Sequence, residues 1–341
     1  MMRAVLFDSF GNSDVLWLGK ARRPEPDRGQ VLIKVIATSV NGPDIVQRKG
    51  KYPPPKGDSD ILGVEVAGII EETGPEVTRW KPGDRVMCLV GGGGYAEYAL
   101  GDQNLLIEIP EQMDFAEAAC ICEAYIVAFF NLFILAKLAD GEAVLLHGGG
   151  GGVNTAAIQL VKALAPRCQV IVTASSSKVA RVRALGADLV IDYRARDFSE
   201  AVRTFRGKKG VDVILDHIGA DYLAPNMNLL AYGGRLVVIG VNSGIRAELN
   251  LGLMMVKRQS ILGSVMRSRA MAEKAAITRR FTETVMPLFR ERKLVPVIHK
   301  IFPIADVKKA HRTMEESRHF GKIVLDVAIP KPPPPNSAKY V

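Results

Sequence analysis

Five consecutive glycines, at positions 148–152, separate two stretches of different period. A short apolar run, Ala143–His147, stands before them, and after them apolar residues recur over 153–164 at the spacing of one helix face. A second apolar run occupies 170–174, so the order is strand, glycine turn, helix, strand, which is typical of the first unit of a dinucleotide-binding fold. Glycines let the backbone approach a pyrophosphate, and free N–H groups at a helix N-terminus meet its charge. The spacing therefore predicts a phosphate cradle; the alternative is a merely flexible loop.

The residues that follow the second apolar run favour NADP(H) over NAD(H). NAD-binding units usually place an Asp or Glu about 20 residues beyond the turn, where it accepts the ribose 2′-OH. Here no acid occurs before Asp188; Lys178 follows the run, and Tyr193 ends the third apolar run. A cation and a hydroxyl in place of an acid match a 2′-phosphate, and the cofactor predicted is NADPH. The alternative is that Lys178 is a solvated lysine at a helix start.

One position of the glycine turn departs from the usual pattern. The turn runs Gly148-x-x-Gly151-x-x-Asn154, and it lacks the third glycine that normally permits close helix–strand contact. Two consequences are open: the helix lies slightly farther from the sheet, or the Asn154 amide hydrogen-bonds a ligand.

Composition limits the class of protein. At 341 residues we expect two domains, and 48% hydrophobic with 24% charged residues is typical of a globular chain. The net charge is +9, and much of the excess lies over 257–293. Because aromatic residues are sparse there, a solvated helix face with a few phosphate-binding arginines is favoured over a nucleic-acid surface.

Cysteines, histidines and apolar runs bear on compartment and metal content. The four cysteines form no C-x-x-C pair and no secretory leader is visible, which predicts a reducing, cytoplasmic setting. None of the five histidines pairs with Cys or Glu at ligand spacing, so we expect no metal. The longest apolar run, 126–135, contains Asn131 and is judged too short to span a bilayer, so we expect no membrane span.

The order of elements predicts an α/β protein with two kinds of domain. The N-terminal third alternates like β-structure, with strands expected over 3–7, 31–37, 61–71 and 95–98, and a small barrel-like domain is its natural packing. A helical period then runs from 115 to about 136. Over 142–265, six strands with helices between them predict a doubly wound parallel sheet. The expected domains are 1–122 (β-rich, catalytic), 123–294 (Rossmann), 295–330 (return to the catalytic domain) and 331–341 (a flexible Pro-rich tail).

A β-barrel split around an inserted Rossmann domain resembles the medium-chain dehydrogenase/reductase superfamily, with its GroES-like and Rossmann domains. Within it the chain is similar to the zinc-free NADPH:quinone oxidoreductases. The resemblance rests on sequence words that cover nearly the whole chain in the family's order: 41–44 (NGPD), 47–52 (QRKGKY), 61–68 (ILGVEVAG), 81–86 (KPGDRV), 92–98 (GGGYAEY), 147–159, 267–269 (RSR) and 321–324 (GKIV). Where zinc-dependent members have Gly-His-Glu, this chain has Gly63-Val64-Glu65, so the resemblance implies a zinc-independent reaction.

The resemblance also implies the residues of the site. Asn41, Asp44 and Tyr52 are the expected catalytic residues, placed by the family pattern at an interdomain cleft and over the nicotinamide. The expected cofactor-binding residues are Gly148, Gly151, Gly152 and Val153 (pyrophosphate), Ala174, Ser175, Lys178 and Tyr193 (2′-phosphate), Ile218, Gly240 and Val241 (ribose), and Ser264, Val265 and Met266 (nicotinamide loop).

Partners and alternatives complete the expectation. The family implies a small-molecule quinone as substrate and a homodimer formed through the outer strand near Leu262. Val127 replaces a threonine that is common in the family, which bears on how the nicotinamide is positioned. Two other functions stay open: an NADPH-dependent reductase of activated C=C bonds, and a cofactor-binding or RNA-binding protein without enzymatic activity.

Overall fold

The computed structural model describes residues 1–328, which form two compact units. The β-rich unit comprises Met1–Ala119, Ile298–Arg318 and the described residues from Ile323 to 328. The parallel-sheet unit comprises Cys120–Val297 and His319–Lys322. The predicted tail, 331–341, lies outside the described residues.

The described strands are β1 Met2–Leu6, β2 Trp17–Ala21, β3 Gln30–Val40, β4 Glu65–Thr73, β5 Arg85–Leu89, β6 Tyr98–Asp102, β7 Leu106–Glu108, β8 Ala143–His147, β9 Gln169–Ala174, β10 Leu189–Asp192, β11 Val211–Asp216, β12 Leu230–Val238, β13 Ser260–Gly263, β14 Ile298–Pro303 and β15 Lys322–Asp326. The α-helices are α1 Gly42–Arg48, α2 Phe115–Ala118, α3 Val127–Phe129, α4 Gly152–Leu164, α5 Val179–Ala184, α6 Phe198–Arg206, α7 Ala220–Leu229, α8 Leu251–Lys257, α9 Met271–Arg290 and α10 Val307–Glu315.

The parallel-sheet unit confirms the predicted doubly wound sheet. Its six strands lie in the order β10-β9-β8-β11-β12-β13, and every pair is parallel. All five residues of β8 are buried, as expected for a strand covered on both faces. The strand order reverses between β8 and β11, and ligands of such sheets bind at the carboxyl ends of the strands beside that reversal.

The β-rich unit has an antiparallel seven-stranded sheet. Its order is β14-β15-β3-β4-β5-β7, with β6 paired to β3, and β1 pairs separately with β2. The last strand, β15, pairs antiparallel with β3 through Ile323–Val40 and Asp326–Ala37. The C-terminal segment therefore completes a sheet that begins near the N-terminus.

Two strands predicted in this unit begin later than expected. The stretch 61–64 is irregular before β4, because Gly63 has a φ of +100° and donates its N–H to the Asp44 carboxylate instead of a strand partner. The stretch 95–97 likewise precedes β6, since the Tyr95 N–H bonds the Leu62 carbonyl. In both cases the strand start is set by hydrogen bonds between residues far apart in the sequence, which the local alternation of apolar and polar residues does not reveal.

The continuous helix predicted over 115–136 is interrupted. Short α-helices alternate there with π-helical segments, Cys122–Ile126 and Phe130–Leu135. The Asn131 amide donates to the Val127 carbonyl at 2.7 Å and so competes with the backbone for that acceptor. The length argument against a membrane span was also wrong, because Phe115–Leu135 is long and apolar enough by composition. However, 78% of its most apolar window is buried within the protein, which is the behaviour of a core segment.

Candidate active site

The glycine loop leaves β8 in a tight turn and enters α4. Gly148 has a φ of +77°, which favours glycine, and its N–H lies 3.1 Å from both the carbonyl and the hydroxyl of Thr173. Gly151 precedes the helix in an extended conformation, and α4 begins at Gly152. The first N–H groups of α4, which include those of Gly152 and Val153, have no acceptor within the helix. They form the positive end that a phosphate requires.

Steric contacts test whether this loop fits a phosphate. A Cβ on Gly149 would lie 2.2 Å from Val172 Cγ1, so the fold itself requires that glycine. A Cβ on Gly151 would meet nothing closer than the Gly148 carbonyl oxygen at 3.6 Å, and its φ of −82° is ordinary. The fold alone does not require a glycine at 151. A bare backbone there is what close approach by a phosphate needs, and the loop fits that group.

Two lysines lie over the same loop. The Lys178 side chain covers Gly150, with Nζ 3.3 Å from the position of a Cβ there. Lys322 covers Gly152, with Cδ 2.5 Å from the corresponding position. Lys322 is missing from the predicted site, because a residue 170 positions beyond the loop gives no local signal.

Cations gather where the 2′-phosphate is expected. Burial lowers the pKa of Lys178, and the charges of Arg181 and Arg194 lower it further. Such mutual repulsion is relieved by an anion. Ser175 and the 41%-exposed Tyr193 follow the ends of β9 and β10, and the Tyr193 N–H bonds the Ala174 carbonyl at 3.3 Å. This cationic corner contains Lys178, Arg181 and Arg194.

One acid stands near that corner. Asp192 ends β10, and hydrogen bonds from the Ser176 side chain and the Arg194 backbone lower the pKa of its carboxyl. By contrast, Asp188 stands before β10, at the opposite edge of the sheet, and pairs with Lys162 at 2.7 Å. Asp188, the first acid after the glycine turn in the sequence, is therefore remote from the carboxyl ends of the strands.

The remaining predicted cofactor residues also follow strand ends. Ile218 comes after β11, Gly240 and Val241 after β12, and Ser264, Val265 and Met266 after β13. The turns are tied together: the Ser243 N–H bonds the Ile218 carbonyl at 2.7 Å, and the Ser264 N–H bonds the Val238 carbonyl at 3.0 Å. All predicted cofactor residues thus lie along one edge of the sheet.

The Asn154 side chain contacts the start of the glycine loop. Its side-chain nitrogen donates to the carbonyls of His147 and Gly148, and so ties α4 to the start of the loop. Its Oδ1 is buried and has no hydrogen-bond partner among residues 1–328. The amide nitrogen therefore holds the loop, and the ligand contact considered for Asn154 stays a prediction.

A buried histidine beneath the loop was not predicted. The His147 Nε2 lies 2.8 Å from Asn226 Oδ1, and Nδ1 lies 3.2 Å from the Thr173 hydroxyl, which also accepts the Gly148 N–H. Burial lowers the pKa of His147 to about 3, so the ring is neutral at pH 7. A neutral ring that donates from Nε2 and accepts at Nδ1 satisfies every contact. His147 thereby fixes the Thr173 hydroxyl under the loop.

In the β-rich unit, Asn41 and Asp44 are held by interior partners. The Asn41 side chain donates to Glu65 Oε1 at 2.9 Å, and its backbone N–H donates to Asp44 at 2.8 Å. Asp44 is fully buried and also accepts from the Gly63 N–H at 2.9 Å and the Tyr95 hydroxyl at 3.1 Å. This geometry is that of side chains that position α1 and its neighbouring loop.

Behind Asp44 runs a hydrogen-bond chain with a fixed direction. Arg48 is buried and lies 3.0 Å from His311 Nδ1, and His311 Nε2 lies 3.1 Å from the Tyr95 hydroxyl. Arginine only donates, so His311 must accept at Nδ1, donate from Nε2, and leave the Tyr95 proton for Asp44. Burial, followed by the Arg48 charge, lowers the pKa of His311 to about 3. The carboxylate of Glu315 pairs with Arg48 at 2.6 Å and closes the chain.

Tyr52 lies in the irregular segment after α1 and is half-buried. Beside that segment is a cavity of about 460 Å³ inside the β-rich unit, lined mainly by apolar residues that include Phe7, Phe10, Pro53 and Pro54. Its volume and its mainly apolar lining are those of a small-molecule pocket.

Known proteins match the chain along nearly its whole length. The zinc-binding dehydrogenase family matches residues 185–325, and the alcohol dehydrogenase GroES-like domain family matches residues 27–111. A quinone oxidoreductase of Rattus norvegicus is 34% identical over 329 residues, which cover 95% of this chain and 98% of that protein.

Solved structures agree on the fold. A mycobacterial protein complexed with NADPH has a TM-score of 0.86 and 26% identity, covering 95% of this chain and 99% of that chain. The CurK enoyl reductase has a TM-score of 0.84 and 27% identity over 95% of this chain and 99% of that chain. These matches confirm the predicted combination of a GroES-like and a Rossmann domain.

Proposed function

The chain belongs to the quinone oxidoreductase branch of the medium-chain dehydrogenase/reductase superfamily and is an oxidoreductase, and from this membership we propose that it reduces quinones with NADPH. The observation that carries the proposal is the near full-length similarity to the rat quinone oxidoreductase. The glycine loop and the cationic corner support it, because together they form a site for a dinucleotide with an additional phosphate.

The choice of NADPH rests on the cationic corner. Lys178, Arg181 and Arg194 bring three positive charges to the ends of β9 and β10. Charge-assisted hydrogen bonds to phosphate are about twice as strong as neutral ones. The 2′-hydroxyl of NADH lacks that charge, so these cations discriminate in favour of NADPH.

The chain's own residues bind and orient. NADPH, when bound, supplies the hydride. The N–H groups of the glycine loop and α4 hold the diphosphate, and the loop after β13, with Ser264, Val265 and Met266, covers the nicotinamide half. A quinone accepts hydride without a Lewis acid, since the charge on its product oxygen is delocalised. Positioning is therefore the main demand on the protein.

A metal-free reaction is consistent with the side chains present. Within residues 1–328, no group of three His, Cys, Asp or Glu side chains converges in a way that could hold a metal ion. Glu65, in the sequence word where zinc-dependent relatives carry ligands, accepts hydrogen bonds from Ser39 and Asn41. We propose that the protein acts without zinc.

On the acceptor side we assign three roles. Tyr52 contacts or shields the nicotinamide and acceptor, and it is the proposed catalytic residue. Asn41 and Asp44 position the loop that carries it through their buried hydrogen bonds.

Assembly and compartment follow from two further features. Strand β13 is the outermost strand of the parallel sheet, and in the described chain it pairs with β12 alone. We propose that a second copy extends the sheet there, near Leu262, and forms a homodimer. The four cysteines are buried and form no disulfide within residues 1–328, as expected in a reducing compartment, and we place the protein in the cytoplasm.

The test is a steady-state comparison of acceptors with NADPH and NADH as donors. We expect kcat/KM for a small ortho- or para-quinone to exceed that for an enal or an enoyl thioester by about 100-fold, with NADPH preferred over NADH. Activity confined to the enals and thioesters would show that the acceptor is an activated C=C bond and not a quinone. The similarity to the CurK enoyl reductase favours this alternative.

A substitution at Lys178 tests the preference for NADPH over NADH. Lys178→Ala should weaken NADPH binding by about tenfold or more and leave NADH binding nearly unchanged, because a charge-assisted contact to the 2′-phosphate is lost. Lys208→Ala is the matched control, since Lys208 is exposed and precedes β11 at the opposite edge of the sheet. Equal losses for both dinucleotides would contradict the 2′-phosphate assignment.

A further inference from the structure

His217 is an imidazole at the point where the strand order reverses. It is the first residue after β11, and β11 pairs with β8, whose next residue is Gly148. The sheet order places β10, β9 and β8 on one side of this point and β11, β12 and β13 on the other. A dinucleotide that crosses such a sheet has its diphosphate at this reversal.

Two glycines make room for the ring. A Cβ on Gly148 would lie 2.4 Å from His217 Cε1 and 2.9 Å from Nε2, so the imidazole packs directly on the loop backbone. A Cβ on Gly240, after β12, would lie 3.0 Å from His217 Cβ. The backbone of this turn is also fixed, since the Asn242 N–H bonds the His217 carbonyl at 3.2 Å.

The ring itself is not used by the fold. His217 is half-buried, and no hydrogen bond from its ring nitrogens to residues 1–328 is found. The neighbouring His147 ring, by contrast, bonds Thr173 and Asn226. The Asp216 carboxylate is engaged by the N–H groups of Ile218 and Gly219. The donor and acceptor of the His217 imidazole are therefore left for a ligand.

We propose that His217 contacts the bound dinucleotide at the phosphate and ribose of its nicotinamide half. The adenosine half is assigned to the cationic corner beside β9 and β10, so the part of the ligand that passes His217 is the distal phosphate and the ribose after it. A neutral imidazole N–H can donate to either group. This inference rests on the proposed use of NADPH, and His217 becomes a positioning residue for the nicotinamide.

The experiment uses a ladder of ligands without any quinone. Calorimetric titrations compare 2′,5′-ADP, which lacks the distal phosphate and ribose, with 2′-phospho-ADP-ribose, which has both, and with NADPH. His217→Ala should weaken binding of 2′-phospho-ADP-ribose and NADPH by about tenfold and change binding of 2′,5′-ADP by less than about twofold. Lys178→Ala should weaken all three.

His217→Gln should restore part of the loss, because its amide can still donate. An equal loss for all three ligands in His217→Ala, or no loss for any, would overturn the inference while leaving the proposed reaction intact. If the wild-type protein binds none of the ladder, both the NADPH assignment and this inference fail. Thermal unfolding of each variant checks that the fold is kept.

Discussion

The two units each enclose one histidine whose pKa is lowered to about 3, but they use it differently. In the parallel-sheet unit, His147 lies beneath the glycine loop and supports a surface that is left bare. In the β-rich unit, His311 belongs to a chain from Arg48 to Asp44 in which the donors and acceptors bond one another. In one unit the buried polar groups therefore support a loop whose backbone is open to a ligand, and in the other they bond one another and fix a loop from within.

The difference shows which residues carry binding and which carry geometry. At the carboxyl ends of the parallel strands, the N–H groups that open α4 and the Lys178 ammonium are placed where an anion can reach them. The Asp44 and Asn41 side chains already have their partners. Substitutions should consequently affect ligand affinity in the parallel-sheet unit and stability in the β-rich unit.

The largest effect is expected at Arg48. Arg48→Met would leave Glu315 and His311 without their buried donor, and removal of one partner of a buried ion pair costs about 3–5 kcal/mol. Lys49 also contacts Glu315, at 2.8 Å, but it is exposed, so Lys49→Met should cost below about 1 kcal/mol. Denaturant unfolding of both variants measures the difference, and equal costs would contradict the internal role of Arg48.

The next effect concerns the glycine loop. Gly151→Val should lower the melting temperature only slightly, by the cost of a poorer N-cap, since the φ of Gly151 is ordinary and a Cβ there would meet nothing closer than 3.6 Å. It should weaken NADPH binding by about 100-fold, because the side chain keeps the phosphate from two N–H groups. Gly149→Ala should instead lower the melting temperature, as its Cβ would collide with Val172. A stable Gly151→Val protein that binds NADPH normally would refute the cradle.

Acid should destabilise both units through their histidines. Each ring stays neutral when folded down to about pH 3, whereas the unfolded chain takes up the proton below its ordinary pKa near 6.5. The unfolded state therefore binds more protons, and stability falls from pH 7 towards pH 3, by about 2 kcal/mol per histidine at pH 5. His311→Gln, whatever its cost at pH 7, should remove about half of this pH dependence. If the free energy of unfolding depends on pH as steeply in His311→Gln as in the wild type, His311 is not held neutral in the folded protein.

The smallest effect is expected at Asn154. Asn154→Gly removes two hydrogen bonds to the loop carbonyls, restores the usual third glycine, and should cost about 1–2 kcal/mol of stability. NADPH affinity should change by less than about threefold, because the amide contacts the loop and no ligand is assigned to it. A large loss of NADPH affinity with an unchanged free energy of unfolding would show that Asn154 contacts the ligand.

The sequence predicted the parallel-sheet unit and its edge well, for a physical reason. In a parallel sheet each strand ends at the same edge, so Lys178 and Tyr193 could be placed there from local patterns, and Gly240 from the family resemblance. The polar chain of the β-rich unit joins Arg48 to a histidine 263 positions away, and no local period encodes that contact. The late start of β4 likewise depends on Gly63 bonding Asp44, and Lys322 reaches Gly152 from the far end of the chain.

The most direct test of the account is a single turnover with the cofactor already bound. The protein is loaded with NADPH, free dinucleotide is removed, and a small quinone is added without oxygen while the absorbance of the reduced nicotinamide is followed. We expect rapid, complete loss of that absorbance in the wild-type protein, and little bound dinucleotide to oxidise in Gly151→Val. Tightly bound NADPH that no quinone oxidises would contradict the proposed reaction and leave a protein that binds the dinucleotide for another purpose.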